Sequence, residues 1–233
     1  SIPAAVSSDT TLTSAAKDQA MLADYKNVLI VAGVSATGKS TFIEKLVKDF
    51  SDRFIQPIPV STREIRQGVH AIEDKKIVSI STFEKLAEQG ALVLVRASHG
   101  GDWYAIERSE IKRTAVTGKT VVLDTTSAST FAMMKEEFPL SKSVLITPVE
   151  IQEGKGFSAS HVRDVLRSRF ASRKNMPEEK IVIRIREAIF NLSEFANLMR
   201  EFNGCVVNGQ ELSAETNYGR FKEIILPLFE DPA

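Results

Sequence analysis

The sequence predicts an α/β fold with a mostly parallel central sheet flanked by helices. Three observations carry this. Short apolar runs, beginning with Val28 to Ala32, alternate along the chain with stretches of helical periodicity. One strand-to-helix turn carries glycines at a fixed spacing. The chain has 233 residues and 43% hydrophobic content, enough for one large α/β domain or a domain with a small lid.

The glycine turn is Gly33-Val34-Ser35-Ala36-Thr37-Gly38-Lys39-Ser40, which fits G-x-x-x-x-G-K-[ST] at every fixed position. The buried strand Val28–Ala32 precedes it. Phe42, Leu46 and Val47 recur at helical spacing after it. Phosphate binding needs this order. The glycines let the backbone turn its N–H groups inward, where they act with the positive end of the following helix. Lys39 can reach β and γ oxygens, and the Ser40 hydroxyl can ligate Mg²⁺. This predicts a P-loop NTPase fold. Thr117-Gly118-Lys119-Thr120 also ends in G-K-T, but Arg113 stands where the first glycine is needed. That stretch reads as a turn entering a strand.

The remaining elements follow in order. Ser1 to Ala20 is rich in Ser, Thr and Ala and lacks a basic start and a long apolar centre, so it reads as a flexible arm (1–25) rather than a secretory signal. Phe54–Val60 predicts a strand at a sheet edge, because of Pro57 and Pro59. Ile77–Ile80 predicts another. Ser81 with Glu84 has capping-box spacing for a helix to about Glu88, ended by Gly90. Ala91–Val95 is a strand, and His99 to Tyr104 a glycine turn with two aromatics. Arg108–Ala115 is a helix, Val121–Asp124 a strand ending in a carboxylate, Ser127–Glu137 a helix, and Ser143–Ile146 a strand. His161–Lys174 is an arginine-rich helix. Pro177 suits the first position of the next one, with Glu178 and Glu179 in its first turn. Its apolar stripe runs through Ile185, Ile189, Leu192, Phe195, Met199 and Phe202 to a stop at Gly204. Cys205–Val207 is a strand and Arg220–Phe229 the last helix.

Composition narrows the partners. Thirty acidic residues balance thirty basic ones, so no global field favours nucleic acid or a membrane surface. A single cysteine, Cys205, excludes an internal disulfide and suits a reducing, cytoplasmic setting. No apolar run approaches the roughly 18 residues of a membrane span. Nothing in the pattern supports an oligomer.

At this point the chain resembles the guanylate kinase family of P-loop nucleoside monophosphate kinases, over about Lys26 to Phe229. The phosphate loop comes first. Ser61-Thr62-Arg63-Glu64-Ile65-Arg66-Gln67-Gly68 is similar to the family's S/T-T-R-x-x-R-x-G. Ile77-Val78-Ser79 with Phe83 resembles F-V-S…F, and Gly118 to Asp124 resembles the G-K-x-x-x-L-D strand. Leu166-Arg167-Ser168-Arg169 and Arg184 fall where lid arginines lie. Val206-Val207-Asn208 resembles V-x-N near the adenine pocket. The resemblance implies one kinase domain (26–233), with an acceptor-binding part at about 61–105 and an Arg-rich lid at about 150–186.

It also implies roles. ATP and Mg²⁺ would sit on Gly33, Ser35, Ala36, Thr37, Gly38, Lys39, Ser40 and Thr41, with Asn208 beside the base. Lys39, Asp124, Arg169 and Arg184 would serve transfer. Arg63 and Arg66, three apart beside a turn, can converge as guanidinium forks on an acceptor phosphate. Lys75, Tyr104 and Asp124 would complete the acceptor site. The departures fall there too. By alignment Leu94 replaces the base-reading Glu, Lys75 a Tyr, Thr126 an Asp and Pro59 a Ser, while His70, Lys75 and Lys76 add positive charge. An unpaired base N–H facing Leu94 would cost about 1–3 kcal/mol.

The expectation is therefore ATP- and Mg²⁺-dependent transfer to a small phosphorylated acceptor other than GMP. A non-transferring phospho-ligand module is the alternative, but such modules generally have damaged phosphate loops, and Lys39 and Ser40 are intact. A GTPase switch would need an N-K-x-D guanine motif, which the sequence lacks.

Overall fold

Val28–Ala32 forms β1, with all five side chains buried, at the centre of the molecule. The computed structural model describes residues 22–62, 76–97, 101–152, 154–173 and 176–230. The expected N-terminal arm falls almost wholly outside the described residues. β1 is flanked by β2 (Phe54–Ile55), β7 (Thr120–Thr125), β8 (Lys142–Thr147) and β9 (Gly204–Val207) in the order β2-β7-β1-β8-β9. Every pairing in this sheet is parallel. Strands covered on both faces become continuous apolar runs, and Val121–Leu123 and Val144–Ile146 are such runs. One face packs on α1 (Lys39–Asp49) and α7 (Ala214–Leu228), through Phe42, Ile43, Leu46, Tyr218, Phe221 and Ile225. The other packs on α4 (Ala128–Glu137), α5 (Ala159–Ala171) and α6 (Glu178–Asn197).

A second, mixed sheet has the order β4-β3-β6-β5, from Lys76–Ile77, Val60–Ser61, Trp103–Glu107 and Leu92–Ala97. It has a small cluster of its own, Val60, Phe83, Leu92 and Ala105, while Val93, Leu94 and Ile106 join the main core. Phe83 comes from α2 (Ile80–Glu88). The other short helix, α3 (Arg108–Ala115), has the predicted bounds.

The structure corrects several boundaries. Phe54–Val60 is two strands in two sheets, because Pro57 and Pro59 interrupt the ladder between them. Ile80 opens α2 rather than ending a strand, and its cap is Ser79, whose hydroxyl accepts from the Thr82 N–H at 3.1 Å, not Ser81. Trp103–Glu107 is a strand where a turn was expected. Pro177 is the cap of α6, one position before the helix. That helix ends at Asn197, and Met199 to Glu201 form a 3₁₀ turn. The stripe survives the break, since Phe202 still stacks on Phe131 at 4.6 Å. Gly204 opens β9 instead of stopping a helix. The last helix begins at Ala214, capped by Ser213.

Candidate active site

The loop between β1 and α1 is held by its own backbone and by the strands beside it. Gly33 N–H donates to the Thr125 carbonyl at 3.1 Å. A side chain at Gly33 would bring a Cβ within 2.3 Å of the Ile146 carbonyl oxygen, so only glycine passes between β7 and β8. Gly38 has φ 90°, a left-handed conformation, and a Cβ there would lie 2.6 Å from Asn208 Nδ2. Thr37 Oγ1 and Lys39 Nζ both donate to the Val34 carbonyl, at 2.9 and 3.0 Å. Helix α1 starts with no side-chain cap and no acidic residue in its first turn. Its first N–H groups therefore remain available to an anion. Ser40 and Thr41 are exposed at this helix start, and Ser35 and Ala36 are half-buried on the loop.

Lys39 is 5% exposed. Burial pushes its pKa down to about 8, the Asp124 carboxylate pulls it up and the Arg173 guanidinium pushes it down. Asp124 stands beside Val31 in the β1–β7 register, half-buried at the open end of the strand. Asp124 and Lys39 thus share one electrostatic environment, with Ser40 next in sequence.

The arginines of α5 and α6 divide into two groups. Arg169 reaches over the loop. Its Nη1 donates to the Ala36 carbonyl at 2.9 Å, and its Nη2 to the carbonyls of Asn208 and Gly209. Burial lowers its pKa. Arg173, two residues past the end of α5, has its pKa lowered first by burial and then by the Arg184 guanidinium. Arg167 instead pairs with Glu178 on the exposed side of the helices. From the sequence Arg173 is one of the arginines between 163 and 186, among which Arg169 and Arg184 were preferred.

Asn208, at the end of β9, is 8% exposed. Its Nδ2 donates to the Thr37 carbonyl at 2.7 Å, and its Oδ1 accepts from Asn217 Nδ2 at 2.9 Å. It holds the loop directly. Asn217, which nothing in the sequence pattern marked, stands behind it with 0% exposure.

The remaining expected residues lie on or near the second sheet. Tyr104 lies on β6, half-buried, opposite Ser61 and Arg96. Trp103 beside it is 41% exposed, and its N–H donates to Thr62 Oγ1 at 2.9 Å. Arg63, Arg66, His70 and Lys75 lie outside the described residues. Leu94 differs from expectation. It sits at a bulge in β5 with φ 56° and 5% exposure, packed in the main core. At the bulge Val93 and Leu94 both pack in the main core, while Leu92 joins the smaller cluster of the second sheet. Leu94 therefore serves the core and does not stand in for a lost base contact. Thr126 is exposed and Pro59 half-buried.

Among the described residues no group of three or more His, Cys, Asp or Glu could hold a metal ion by itself. The donors that fit a divalent ion here are the Ser40 hydroxyl and the Asp124 carboxylate, with phosphate oxygens completing the set. Among the same residues no helix is long and apolar enough to cross a membrane.

Comparison with known proteins agrees with this geometry. The guanylate kinase family model matches residues 25–210. A guanylate kinase of Bdellovibrio bacteriovorus is 28% identical over 198 residues, covering 85% of this chain and 95% of that protein. A guanylate kinase of Anaplasma phagocytophilum is 25% identical over 175 residues, covering 74% of this chain and 76% of its own. A crystal structure of guanylate kinase from Anaplasma phagocytophilum matches with a TM-score of 0.55 at 16% identity, over 87% of this chain and 86% of that one, and shares its fold. With a phosphate loop, a cationic cluster above it and a family match over most of its length, the chain belongs to the guanylate kinase family and is a P-loop nucleotide kinase.

Proposed function

We propose that the chain transfers the γ-phosphoryl group of ATP, with Mg²⁺, to a small phosphorylated acceptor of nucleoside monophosphate type. One observation carries this reading. The Arg173 guanidinium acts on Lys39, Arg184 acts on Arg173, and Arg169 donates to the Ala36 carbonyl of the same loop. Gathering like charges is unfavourable unless a polyanion neutralises them, and a triphosphate does so.

In this reading Gly33, Ser35, Ala36, Thr37, Gly38 and Thr41 contribute backbone and hydroxyl donors to the donor phosphates. Lys39 holds the β and γ oxygens. Asn208 and Arg169 hold the loop in shape beside the base. Arg173 and Arg184 meet charge that develops during transfer. Mg²⁺, held by Ser40 and Asp124, would neutralise charge between the β and γ phosphates. Arg63, Arg66, Lys75 and Tyr104 would bind the acceptor phosphate, which makes the second sheet (about 61–105) the acceptor part and about 150–186 the lid. The arm at 1–25 has no assigned role. Catalysis is by positioning and charge neutralisation, and no general base is required.

GMP is expected to be a poor acceptor. The ground is Thr126 and Pro59, standing where polar contacts to guanine would be; Leu94 no longer contributes. Because the named relatives are guanylate kinases, GMP is the first acceptor to assay. ADP release is measured across nucleoside monophosphates and phosphorylated sugars. Acceptor-dependent release with kcat/KM for GMP below about 10⁴ M⁻¹s⁻¹ is expected. A higher value for GMP removes the narrower statement and leaves the phosphotransferase. In the same assay Arg66→Lys should weaken acceptor use, since a point charge does not reproduce a planar fork.

A further inference from the structure

We infer that Asn217 is a positioning residue for the phosphate loop, acting through Asn208. This rests on the reading of Gly33–Thr41 as the nucleotide site. Asn217 lies in the first turns of α7, fully buried. Its Nδ2 donates to Asn208 Oδ1 at 2.9 Å and, weakly, to the Leu212 carbonyl at 3.5 Å. Its Oδ1 is the one buried side-chain N or O atom without a hydrogen-bond partner among the described residues. Buried polar atoms are normally satisfied, so an orphan points to a side chain kept for its other end.

That other end decides which way the Asn208 amide faces. With Asn208 Oδ1 engaged by Asn217, the Asn208 Nδ2 is left to donate, and it meets the Thr37 carbonyl at 2.7 Å. Arg169 does the same to the preceding peptide, donating to the Ala36 carbonyl at 2.9 Å. In a trans peptide plane the C=O and the N–H point in opposite directions. Holding the carbonyls of Ala36 and Thr37 therefore turns the N–H groups of Thr37 and Gly38 the other way. Two successive donors of the loop are set by groups outside it, one by Arg169 and one by the Asn217–Asn208 relay. Without Asn217 the Asn208 amide can flip, and its oxygen would then confront the Thr37 carbonyl oxygen.

The test separates a positioning role from a structural one. Asn217→Leu keeps a buried side chain but removes both the donor and the orphan. Its melting temperature should change little, because removing the orphaned Oδ1 offsets the Asn208 acceptor left without its donor. Its Kd for ADP and KM for ATP should rise about threefold to tenfold, the worth of one neutral hydrogen bond. Its kcat should change less. Unchanged nucleotide affinity, or a fall in affinity matched by a fall in melting temperature, overturns the relay. If Asn217→Leu fails to fold, Asn217→Ala is titrated with ADP well below its own melting temperature, with the same rise expected and an unchanged Kd overturning the proposal. Lys39→Ala runs alongside. Loss of transfer in Lys39→Ala with an unaffected Asn217→Leu sinks the relay alone, whereas no nucleotide binding by the unaltered chain sinks the site reading and the relay with it.

Discussion

The two sheets of this molecule are built to different standards. The parallel sheet is sealed on both faces, and the loop at its carboxyl edge is fixed by a glycine that admits no side chain, a buried lysine and two outside clamps. The mixed sheet joins the main core through Val93, Leu94 and Ile106, has a small cluster of its own in Val60, Phe83, Leu92 and Ala105, and has Ile58, Ile77, Ile80 and Trp103 on or beside it more than a third exposed. If, as proposed, the loop holds the donor triphosphate and the second sheet the acceptor, the donor site gains from rigidity, and the second sheet's lighter packing suits a part that must fit one particular molecule.

The comparison can be broken first at the level of stability. Phe42→Ala empties a site 2% exposed beneath the loop, between α1 and the rings of Tyr218 and Phe221. It should cost about 3–5 kcal/mol. Phe83→Ala opens the small cluster instead, where the thin sheet can collapse into the gap, and should cost less. Chemical denaturation of both variants measures this. Equal losses would mean that the two sheets are packed to one standard. Phe83→Ala should also raise KM for the acceptor while leaving that for ATP alone.

Next in size is the donor site. Lys39→Ala should lower transfer by about 10²–10³-fold, with the fold intact, because the lysine's buried charge does not favour folding. Near-normal turnover by a folded Lys39→Ala protein would remove the assignment of the loop. Arg173→Ala and Arg184→Ala should each lower kcat more than they weaken ATP binding, since both charges count most when the γ-phosphoryl is in flight. Unchanged kcat in either variant would make that residue a surface charge.

The smallest effect is one of pH. Lys39 titrates at about 8 in the fold against an ordinary 10.5. Between those values the unfolded chain binds more protons than the folded one, so stability rises with pH across that window. Nucleotide binding runs the opposite way. Phosphates favour the charged ammonium, so affinity for ADP is full below about pH 8 and declines as the pH rises through it. Titrations at about pH 7 and pH 9.5 should show the decline in the unaltered chain and none in Lys39→Met.

How far the sequence was legible follows the same division. The strand, loop and helix from Val28 to Asp49 could be read directly, because a buried strand, an amphipathic helix and two obligatory glycines each leave their own pattern. The mixed sheet was legible only in part: Ala91–Val95 was read as a strand, whereas Trp103–Glu107, its partner, opens inside the stretch read as a glycine turn. Leu94 marks a second limit. Read by alignment it was a missing base contact, and in space it is a core residue. At the site, Lys39, Asp124, Arg169 and Asn208 were named from motif positions, and the structure brings Asp124 near Lys39 and puts Arg169 and Asn208 on the loop's carbonyls. Asn217 could not be named so, since its role depends on a contact between the end of β9 and the interior of a helix, and no local pattern records it.

The central claim is that this chain moves a phosphoryl group from the Gly33–Thr41 loop to a phosphorylated acceptor. It is tested most directly by acceptor-dependent ADP release from ATP·Mg²⁺, assayed across nucleoside monophosphates with the unaltered chain and with Lys39→Ala. The account predicts release that needs an acceptor and that falls by about 10²–10³-fold in the folded variant. Release that is indifferent to every acceptor, or equal in the two proteins, would contradict it.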